Sequence, residues 1–239
     1  MTDRHPYHLK SLLPDQIREH LARESRLIIP VGTCELHGKH LPLGCDTIIV
    51  ERLADDLSRE FGVLRAPTVE YGVNSEIPQA VHGNATVRRK TLHRWMNDLV
   101  GAWEQSGVTH FIILTAHGHD PHQEALSTVR ANGARVQVVD IFAMEFPDLF
   151  PTPIGPIHGG EVDTSLLLFI APDLVDMTRA EDFILSDRSR LKHRRGSSMK
   201  LPRRSSGSLG RPSIASAMLG EVVYQRIYER IAERIFKVS

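Results

Sequence analysis

The chain lacks the features that mark secreted and membrane proteins. Only two cysteines, Cys34 and Cys45, occur among its 239 residues, so no disulfide framework is expected and both should be free thiols. No apolar run approaches the roughly 20 residues that a membrane-spanning helix needs. The first ten residues, MTDRHPYHLK, also lack the apolar region of a signal peptide. These absences predict a cytoplasmic protein that does not contact membranes.

A net charge of either sign is also missing. The 29 Lys and Arg residues balance 29 Asp and Glu residues, so the whole chain has no field that would concentrate nucleic acid or acidic membranes. A small, nearly neutral molecule is therefore the expected partner. The apolar fraction of 41% is ordinary for a globular protein, and the length favours one domain over residues 1–239.

Apolar segments alternate with amphipathic segments along most of the chain. Strands are predicted where short runs are apolar and rich in β-branched residues, at residues 27–32, 63–69, 109–116 and 135–141. Helices are predicted where apolar residues recur at helical spacing, from Pro14 onward and at 47–61, 89–106, 121–132, 161–172 and 221–236. Because apolar strands separated by helices indicate a parallel sheet covered on both faces, we expect a three-layer α/β/α fold with a mainly parallel sheet.

Residues 186–211 differ from the rest of the chain. They are basic, rich in Ser and Gly, and poor in large apolar side chains. We interpret them as a solvated, mobile loop near the active site or at a subunit contact. A nucleic-acid contact is an alternative, but no aromatic residues are interleaved for base stacking.

Metal-binding side chains crowd the stretch VGTCELHGKHLPLGCD, residues 31–46, which directly follows the first predicted strand. Glu35 and His37 lie two residues apart, so a locally extended chain points both side chains to one face. Asp46 follows, and a carboxylate can bridge two cations through its two oxygens. This spacing predicts that one segment supplies several ligands to a metal cluster.

The loop after the third predicted strand repeats the pattern. His117 and His119 alternate in AHGHD, and Glu161 begins the helix after the Gly-rich turn that carries His158. Ligands of parallel sheets bind at the carboxyl ends of the strands, so we expect the two His-rich loops at one edge. Each residue alone also has a structural interpretation, such as a turn histidine or, for Asp46, a helix N-cap. Their joint occurrence at predicted strand ends favours a metal site.

The same residues resemble the signatures of the creatininase family, the creatinine amidohydrolases and their relatives. VGTCELHGKHLPLGCD is similar to P-x-G-S-x-E-Q-H-G-x-H-L-P-x-x-x-D, AHGHD to N-G-H-G-x-N, and HGGEVDTS to H-A-G-x-x-E-T-S. NATVRRKTL resembles a degenerate form of a block that reads G-T-I-S-L. The matches follow the family order over nearly the whole chain.

The resemblance implies a binuclear metal hydrolase that binds two divalent ions, Zn or Mn with Fe as a further option, and assembles as a homohexamer. By position, Glu35 and His117 would bind one metal, His37 the other, and Asp46 would bridge them. For the remaining ligand of the second metal we favour Glu161, with His119 as the second candidate.

The resemblance departs from the family pattern in places. Asn84 replaces the usual Thr, and Asp163 replaces the usual Glu of the third block. These departures affect the residues around the metal ligands.

The implied reaction is hydrolysis of a small amide. Paired cations ionise a water and polarise a carbonyl, and His158 occupies the family's proton-transfer position, so His158 and Glu161 are the candidate catalytic residues. Two alternatives stay open. One is a Cys/His nucleophile using Cys34 or Cys45, although both are interpreted as small packing residues. The other is a metal-binding protein without catalytic activity.

The substrate is predicted only by class. A cyclic or formyl amide is favoured, and another small carbonyl compound or a peptide bond is the alternative within the family. Creatinine is disfavoured because Gly118 stands where creatininase has an aromatic residue, and Trp95 and Trp103 have the spacing of core residues in a helix. The basic loop, including Arg203 and Arg204, could admit a phosphate or carboxylate of the substrate.

Overall fold

A parallel sheet of four strands forms the centre of the computed structural model, which describes residues 5–77, 81–143, 146, 148–150, 158–186 and 200–237. The strands are β1 (Arg26–Val31), β2 (Leu64–Arg65), β3 (His110–Thr115) and β4 (Arg135–Asp140), in the order β2-β1-β3-β4. Val31 pairs with Thr115, so β1 and β3 end side by side. The prediction of a parallel sheet is confirmed, and the two loops that follow these strands begin at one edge.

Helices cover both faces of the sheet. Within the described residues they are α1 (Pro14–Leu21), α2 (Cys45–Phe61), α3 (Arg89–Gln105), α4 (Asp120–Ser127), α5 (Glu161–Ile170) and α6 (Ala217–Ile231), which continues as a π-helical turn, Ala232–Phe236. Pro14 begins α1, where its missing N–H costs no hydrogen bond. None of the helices in the described ranges has the length and apolarity needed to cross a bilayer.

Two apolar cores lie on opposite faces of the sheet because successive strand side chains point to opposite faces. Ile28 of β1 packs with α2, α5 and α6 on one face. Its neighbours Leu27 and Ile29 pack with α1, α3 and α4 on the other face. The predicted three-layer α/β/α architecture is therefore confirmed.

Two predicted elements are shorter than expected. The strand predicted at 63–69 pairs as a ladder only over Leu64–Arg65, because Pro67 has no N–H to donate; the chain rejoins β1 through Val69 N–H, which donates to the Pro30 carbonyl at 3.0 Å. The helix predicted at 121–132 ends at Ser127. Beyond it, Glu104 accepts three consecutive backbone N–H groups at residues 132–134, and these hold the chain in a turn.

The prediction that both tryptophans are core residues is wrong for one of them. Trp95 is 39% exposed on α3, whereas Trp103 does pack against the core.

The prediction of a fully solvated basic loop is also partly wrong. Much of this loop, residues 187–199, lies outside the described residues. In its described part, Leu201 and Leu209 are buried, so this part is packed rather than fully solvated; Arg203 and Arg204 are exposed, as predicted for a solvated loop.

Candidate metal centre

Carboxylates and imidazoles meet at the carboxyl edge of the sheet. The predicted ligands that follow β1 and β3, together with Asp46 in the first turn of α2, are all buried and no more than 6% exposed. Burying so many ionisable groups is costly unless they are paired with each other or bind a cation. The fold therefore gathers the residues of the two His-rich loops into one polar cluster.

Asp46 lies between two histidines and uses one oxygen for each. Its Oδ1 is 3.2 Å from His37 Nε2, and its Oδ2 is 3.1 Å from His117 Nδ1. Thr33 Oγ1 donates to Oδ2 at 2.6 Å and fixes the carboxylate plane. The two oxygens of one carboxylate therefore face different histidines, and carboxylate oxygens of this kind are common cation ligands.

The start of α2 explains how Asp46 reaches this position. Gly44, not Asp46, is the N-cap residue, and Asp46 is the second residue of the helix, so the interpretation of Asp46 as a capping side chain is wrong. Gly32 lets the helix come close, since a Cβ there would lie within 2.7 Å of Thr47 N. The close contact between β1 and α2 brings the Asp46 carboxylate to the sheet edge.

Backbone carbonyls orient the two predicted ligand histidines. His37 Nδ1 donates to the Glu35 carbonyl at 3.1 Å, and His117 Nε2 donates to the Val73 carbonyl at 3.1 Å. Each ring therefore presents its other nitrogen to the carboxylates. Ligand histidines in metal sites are oriented in this way, through a hydrogen bond from the nitrogen that does not bind the metal.

Glu35 is held by a segment that sequence analysis missed. Its Oε1 accepts the Ser75 N–H at 2.7 Å, and its Oε2 lies 3.2 Å from His117 Nδ1 without a well-aligned hydrogen bond. Residues 71–76 supply both the Ser75 N–H and the Val73 carbonyl. They carry no motif of their own, because they act through the backbone. The one local signal is Gly72, where a Cβ would lie 2.6 Å from a ring nitrogen of His122.

The carboxylates dominate the electrostatics of the cluster. Burial alone would lower the pKa of His37, but Asp46 raises it to about 10. Burial likewise opposes the charged form of His117, whose pKa Glu35 and Asp46 raise to about 9. The carboxylates thus favour positive charge at these two rings, which protons supply when both histidines are charged and which divalent cations would supply in their place.

His158 lies beside this cluster. Its ring centroid is 4.4 Å from that of His37, the residue is 1% exposed, and its Nε2 has no hydrogen-bond partner among the described residues. Burial and the neighbouring His37 lower the pKa of His158 to about 4. The structure therefore places the predicted proton-transfer residue next to the predicted ligands, with one nitrogen free.

The two carboxylates of the third block have different surroundings. Glu161 Oε2 accepts the Arg211 N–H at 2.6 Å; neither Glu161 nor Asp163 belongs to the ligand groups formed by the described residues. Asp163, which sequence analysis noted only as a departure from the family pattern, is 1% exposed. Its Oδ2 accepts the Gly159 N–H at 2.6 Å, and its Oδ1 has no partner among the described residues. Burial raises the pKa of Asp163 to about 7.

The remaining candidates lie at the margin of the cluster. His119 Nδ1 donates to the Val73 carbonyl at 2.8 Å, and its Nε2 is buried without a partner in the described chain. Cys34 points away, with its Sγ 3.2 Å from the Gly83 carbonyl. Cys45 is buried in the core, yet its thiol is close enough to His37 and Asp46 to form a ligand group. Burial raises the pKa of this thiol, which disfavours the thiolate that binds metals.

The donor set fits divalent metal ions. Among the described residues, three groups have ligand atoms within 4.8 Å of one another: Glu35, Asp46 and His117; His37, Cys45 and Asp46; Glu35, His37 and His158. The groups share members, which is expected where two ions lie side by side. Unpartnered buried atoms of Glu35, Asp163 and His158 surround them, and nitrogen and carboxylate donors suit Zn and Mn.

Comparisons with known proteins agree with this description. A family model described as creatininase, creatinine amidohydrolase, matches residues 11–235. The 3-dehydro-scyllo-inosose hydrolase of Thermotoga maritima is 26% identical over 73% of this chain, and the match spans 60% of that protein's length. The mycofactocin precursor peptide peptidase of Mycolicibacterium smegmatis is 25% identical over 87% of this chain and 83% of that protein.

Solved structures share the fold. A manganese creatininase superposes with a TM-score of 0.76 at 22% identity, over 96% of this chain and 97% of the other. A creatininase mutant of the Zn-Zn type gives a TM-score of 0.77 at 22% identity, with the same coverage of both chains. At this level of identity the likeness establishes the three-layer fold of the chain.

Proposed function

The chain belongs to the creatininase family, and from this premise we propose that it is a metal-dependent hydrolase that uses two divalent ions, Zn or Mn, to cleave a small amide. The observation that carries the proposal is the position of Asp46, with one carboxylate oxygen toward His37 and the other toward His117. A buried carboxylate that faces two oriented imidazoles has one oxygen available for each of two ions, which supports a two-metal site.

The proposed ligands divide between two ions. Glu35 and His117 would hold the first ion, His37 would hold the second, and Asp46 would be a ligand to both. For the second ion we propose Asp163 rather than Glu161 or His119, because Asp163 has a buried oxygen without a partner among the described residues and interacts electrostatically with His37 and Asp46. When bound, such ions supply an ionised water and a polarised carbonyl.

Side chains of the protein would transfer the proton and keep the ligands oriented. His158 has a buried, unpartnered Nε2 beside His37, so it can take a proton from the attacking water and return it to the leaving nitrogen. The His37 and His117 rings stay oriented through the carbonyls of Glu35 and Val73. Burial of every proposed ligand strengthens the electrostatic interactions within the site.

Cleavage of a peptide bond is the second candidate. The match with a peptide peptidase over 87% of this chain supports it. Gly118 stands where creatininase has an aromatic residue, which disfavours creatinine but does not distinguish another small amide from a peptide. A small-molecule substrate, a homohexamer and a cytoplasmic location also remain predictions.

Metal analysis and a substrate panel test the proposal. We expect the purified protein to bind two divalent ions per chain, and Asp46→Asn to lose them because the bridging charge is removed. The metal-loaded protein should hydrolyse at least one member of a panel of cyclic amides, formamides and short peptides. Thr178→Ala serves as the control, since Thr178 is exposed and its hydroxyl donates to Asp176, which is not a proposed ligand.

Two results would contradict the proposal. Absence of metal in protein prepared with Zn or Mn would exclude the two-metal site. Full metal content with no turnover on any amide or peptide would instead favour a metal-binding protein without catalytic activity. Hydrolysis confined to peptides would select the second candidate.

A further inference from the structure

A short segment, residues 205–211, runs past the turn that carries His158; we call it the strap. Leu209 forms an antiparallel bridge with His158, and its N–H donates to the His158 carbonyl at 2.8 Å. Gly210 exchanges two backbone hydrogen bonds with Phe183, at 2.9 and 2.8 Å. The strap is thus tied by its backbone to the turn of the proposed proton-transfer residue.

The strap also packs closely against the loop after β1. The Leu36 side chain fills the space that a Cβ on Gly207 would occupy, and a Cβ on Gly38 would lie 3.1 Å from Ser208 Cβ. Ser208 is fully buried and Leu209 is 2% exposed. The strap is therefore packed against the loop that carries Glu35 and His37.

Glu161 holds the far end of the strap. Its Oε2 accepts the Arg211 N–H at 2.6 Å, and the residue is 5% exposed. Gly210 has a φ of +113°, and the space that a Cβ would occupy there is filled by the Glu161 carboxylate. The buried Glu161 carboxylate is therefore hydrogen-bonded to the backbone of the strap and not to a residue of the ligand groups.

We propose that Glu161 is a positioning residue, which fixes the strap and, through the bridge at Leu209, holds His158 in place. Glu161 and His158 flank the same Gly-Gly turn. The strap is bonded to both sides of this turn, to His158 through Leu209 and to Glu161 through Arg211. This inference rests on the proposed function for the role of His158, but the contact between Glu161 and the strap does not depend on metal.

Glu161→Ala and Glu161→Gln separate this role from a ligand role. Loss of a hydrogen bond to a charged acceptor should make amide hydrogen exchange in residues 205–211 at least about tenfold faster in Glu161→Ala. Glu161→Gln keeps an acceptor oxygen, so it should restore most of the protection. Both variants should keep the full metal content, whereas a metal ligand would not tolerate loss of its charge.

The His158 side chain supplies the functional readout. In the zinc-loaded protein, the ¹⁵N resonances of the His158 ring should shift in Glu161→Ala and return in Glu161→Gln. Glu76→Ala is the matched control, because Glu76 pairs with Lys200 through exposed side chains and surface pairs contribute little. It should change neither exchange in the strap nor the His158 resonances.

Gly210→Ala tests the contact between Glu161 and the strap by changing the strap. It also provides an independent test if Glu161→Ala does not fold. It leaves Glu161 intact but blocks the approach of the strap, so exchange in the strap should again increase. Metal loss in Glu161→Gln with an unchanged strap would overturn the proposal and identify Glu161 as a ligand. If the wild-type protein binds no metal, the proposed function fails, while faster exchange in Glu161→Ala would still support the positioning contact.

Discussion

At the scale of single residues, chemically similar side chains differ in what they can do because their partners differ. Glu161 and Asp163 lie two residues apart at the start of α5, and both are buried carboxylates. Glu161 accepts a strap N–H, whereas Asp163 keeps one oxygen without a partner in the described chain. A buried carboxylate with a free oxygen is the one that gains most from a cation.

His158→Ala separates proton transfer from metal binding. Two ligand groups lack His158, one of Glu35, Asp46 and His117 and one of His37, Cys45 and Asp46, so we expect the variant to retain both ions. Turnover should fall by about 10²- to 10⁴-fold, the usual contribution of a general acid or base. Metal content and kcat on the best amide of the panel measure the two effects, with the exposed His82→Ala as control. Loss of one ion would show that His158 is a ligand.

At the scale of secondary-structure elements, the contact between β1 and α2 brings Asp46 to the sheet edge. Gly32 follows β1 and lies against the first turn of α2, with no room for a Cβ beside Thr47. Gly101 lies in the middle of α3 with nothing within 4 Å of its Cβ position. The same substitution should therefore have opposite effects at the two sites.

Gly32→Ala should displace α2, lower the free energy of unfolding by about 1–3 kcal/mol and weaken metal binding. Gly101→Ala should raise the free energy of unfolding by about 0.5–1 kcal/mol, because alanine loses less backbone entropy in a helix. Urea unfolding of both variants and zinc titration measure the effects. Equal stability of the two variants would contradict the close contact between β1 and α2.

A polar network joins α2 to α6. Asp56 on α2 accepts a hydrogen bond from Tyr224 of α6 at 2.6 Å and one from Arg52 at 2.9 Å. Burial alone would raise the pKa of Asp56, but these hydrogen bonds and that from Arg59 hold it below its ordinary value of 3.8. The ionised form of Asp56 therefore stabilises the folded state.

Asp56→Asn should lower the free energy of unfolding by about 1–2 kcal/mol at pH 7. Because the pKa of Asp56 is lower in the folded than in the unfolded state, its contribution is fully present above the ordinary value of 3.8. It is lost as the pH falls through the lower folded value. Urea unfolding from pH 7 to pH 3 should show the difference between wild type and variant shrinking only below about pH 4. A constant difference at every pH would contradict the role of the charge.

At the scale of the whole molecule, the proposed ligands come from separate parts of the chain. Glu35 and His37 follow β1, Asp46 begins α2, His117 follows β3 and Asp163 lies on α5. Ions held by all of these elements bind the folded state only, so their binding free energy adds to the stability of the fold.

Chelation should therefore destabilise the whole protein. At a free metal concentration about 1,000 times the Kd, one ion contributes about 4 kcal/mol, and its removal should lower the Tm by about 10 °C. Calorimetry with and without EDTA, followed by restoration with Zn or Mn, measures this effect. An unchanged Tm would show that the ions do not join these elements. Asp46→Asn, which lacks the bridge, should respond little to EDTA.

Much of the architecture could be predicted from the sequence, because local patterns carry it. Apolar runs predicted the parallel strands β1, β3 and β4, and helical spacing predicted α2 and α3 nearly to their ends. The strand at 63–69 and the helix at 121–132 were predicted too long. Their true ends depend on Pro67 and on the contact of Glu104 with residues 132–134, which is a long-range contact that local periodicity does not report.

The sequence by itself determined which side chains could bind metal, since Glu35, His37 and His117 follow strand ends and Asp46 follows them at the start of α2. Only the tertiary structure decided how they are used. In the folded chain, Glu161 accepts a hydrogen bond from the strap, and Asp163 has one oxygen without a partner among the described residues. The Val73 carbonyl orients His117. The physical reason is that residue type fixes what a group can bind, whereas backbone donors and acceptors from distant segments decide which of its atoms remain free.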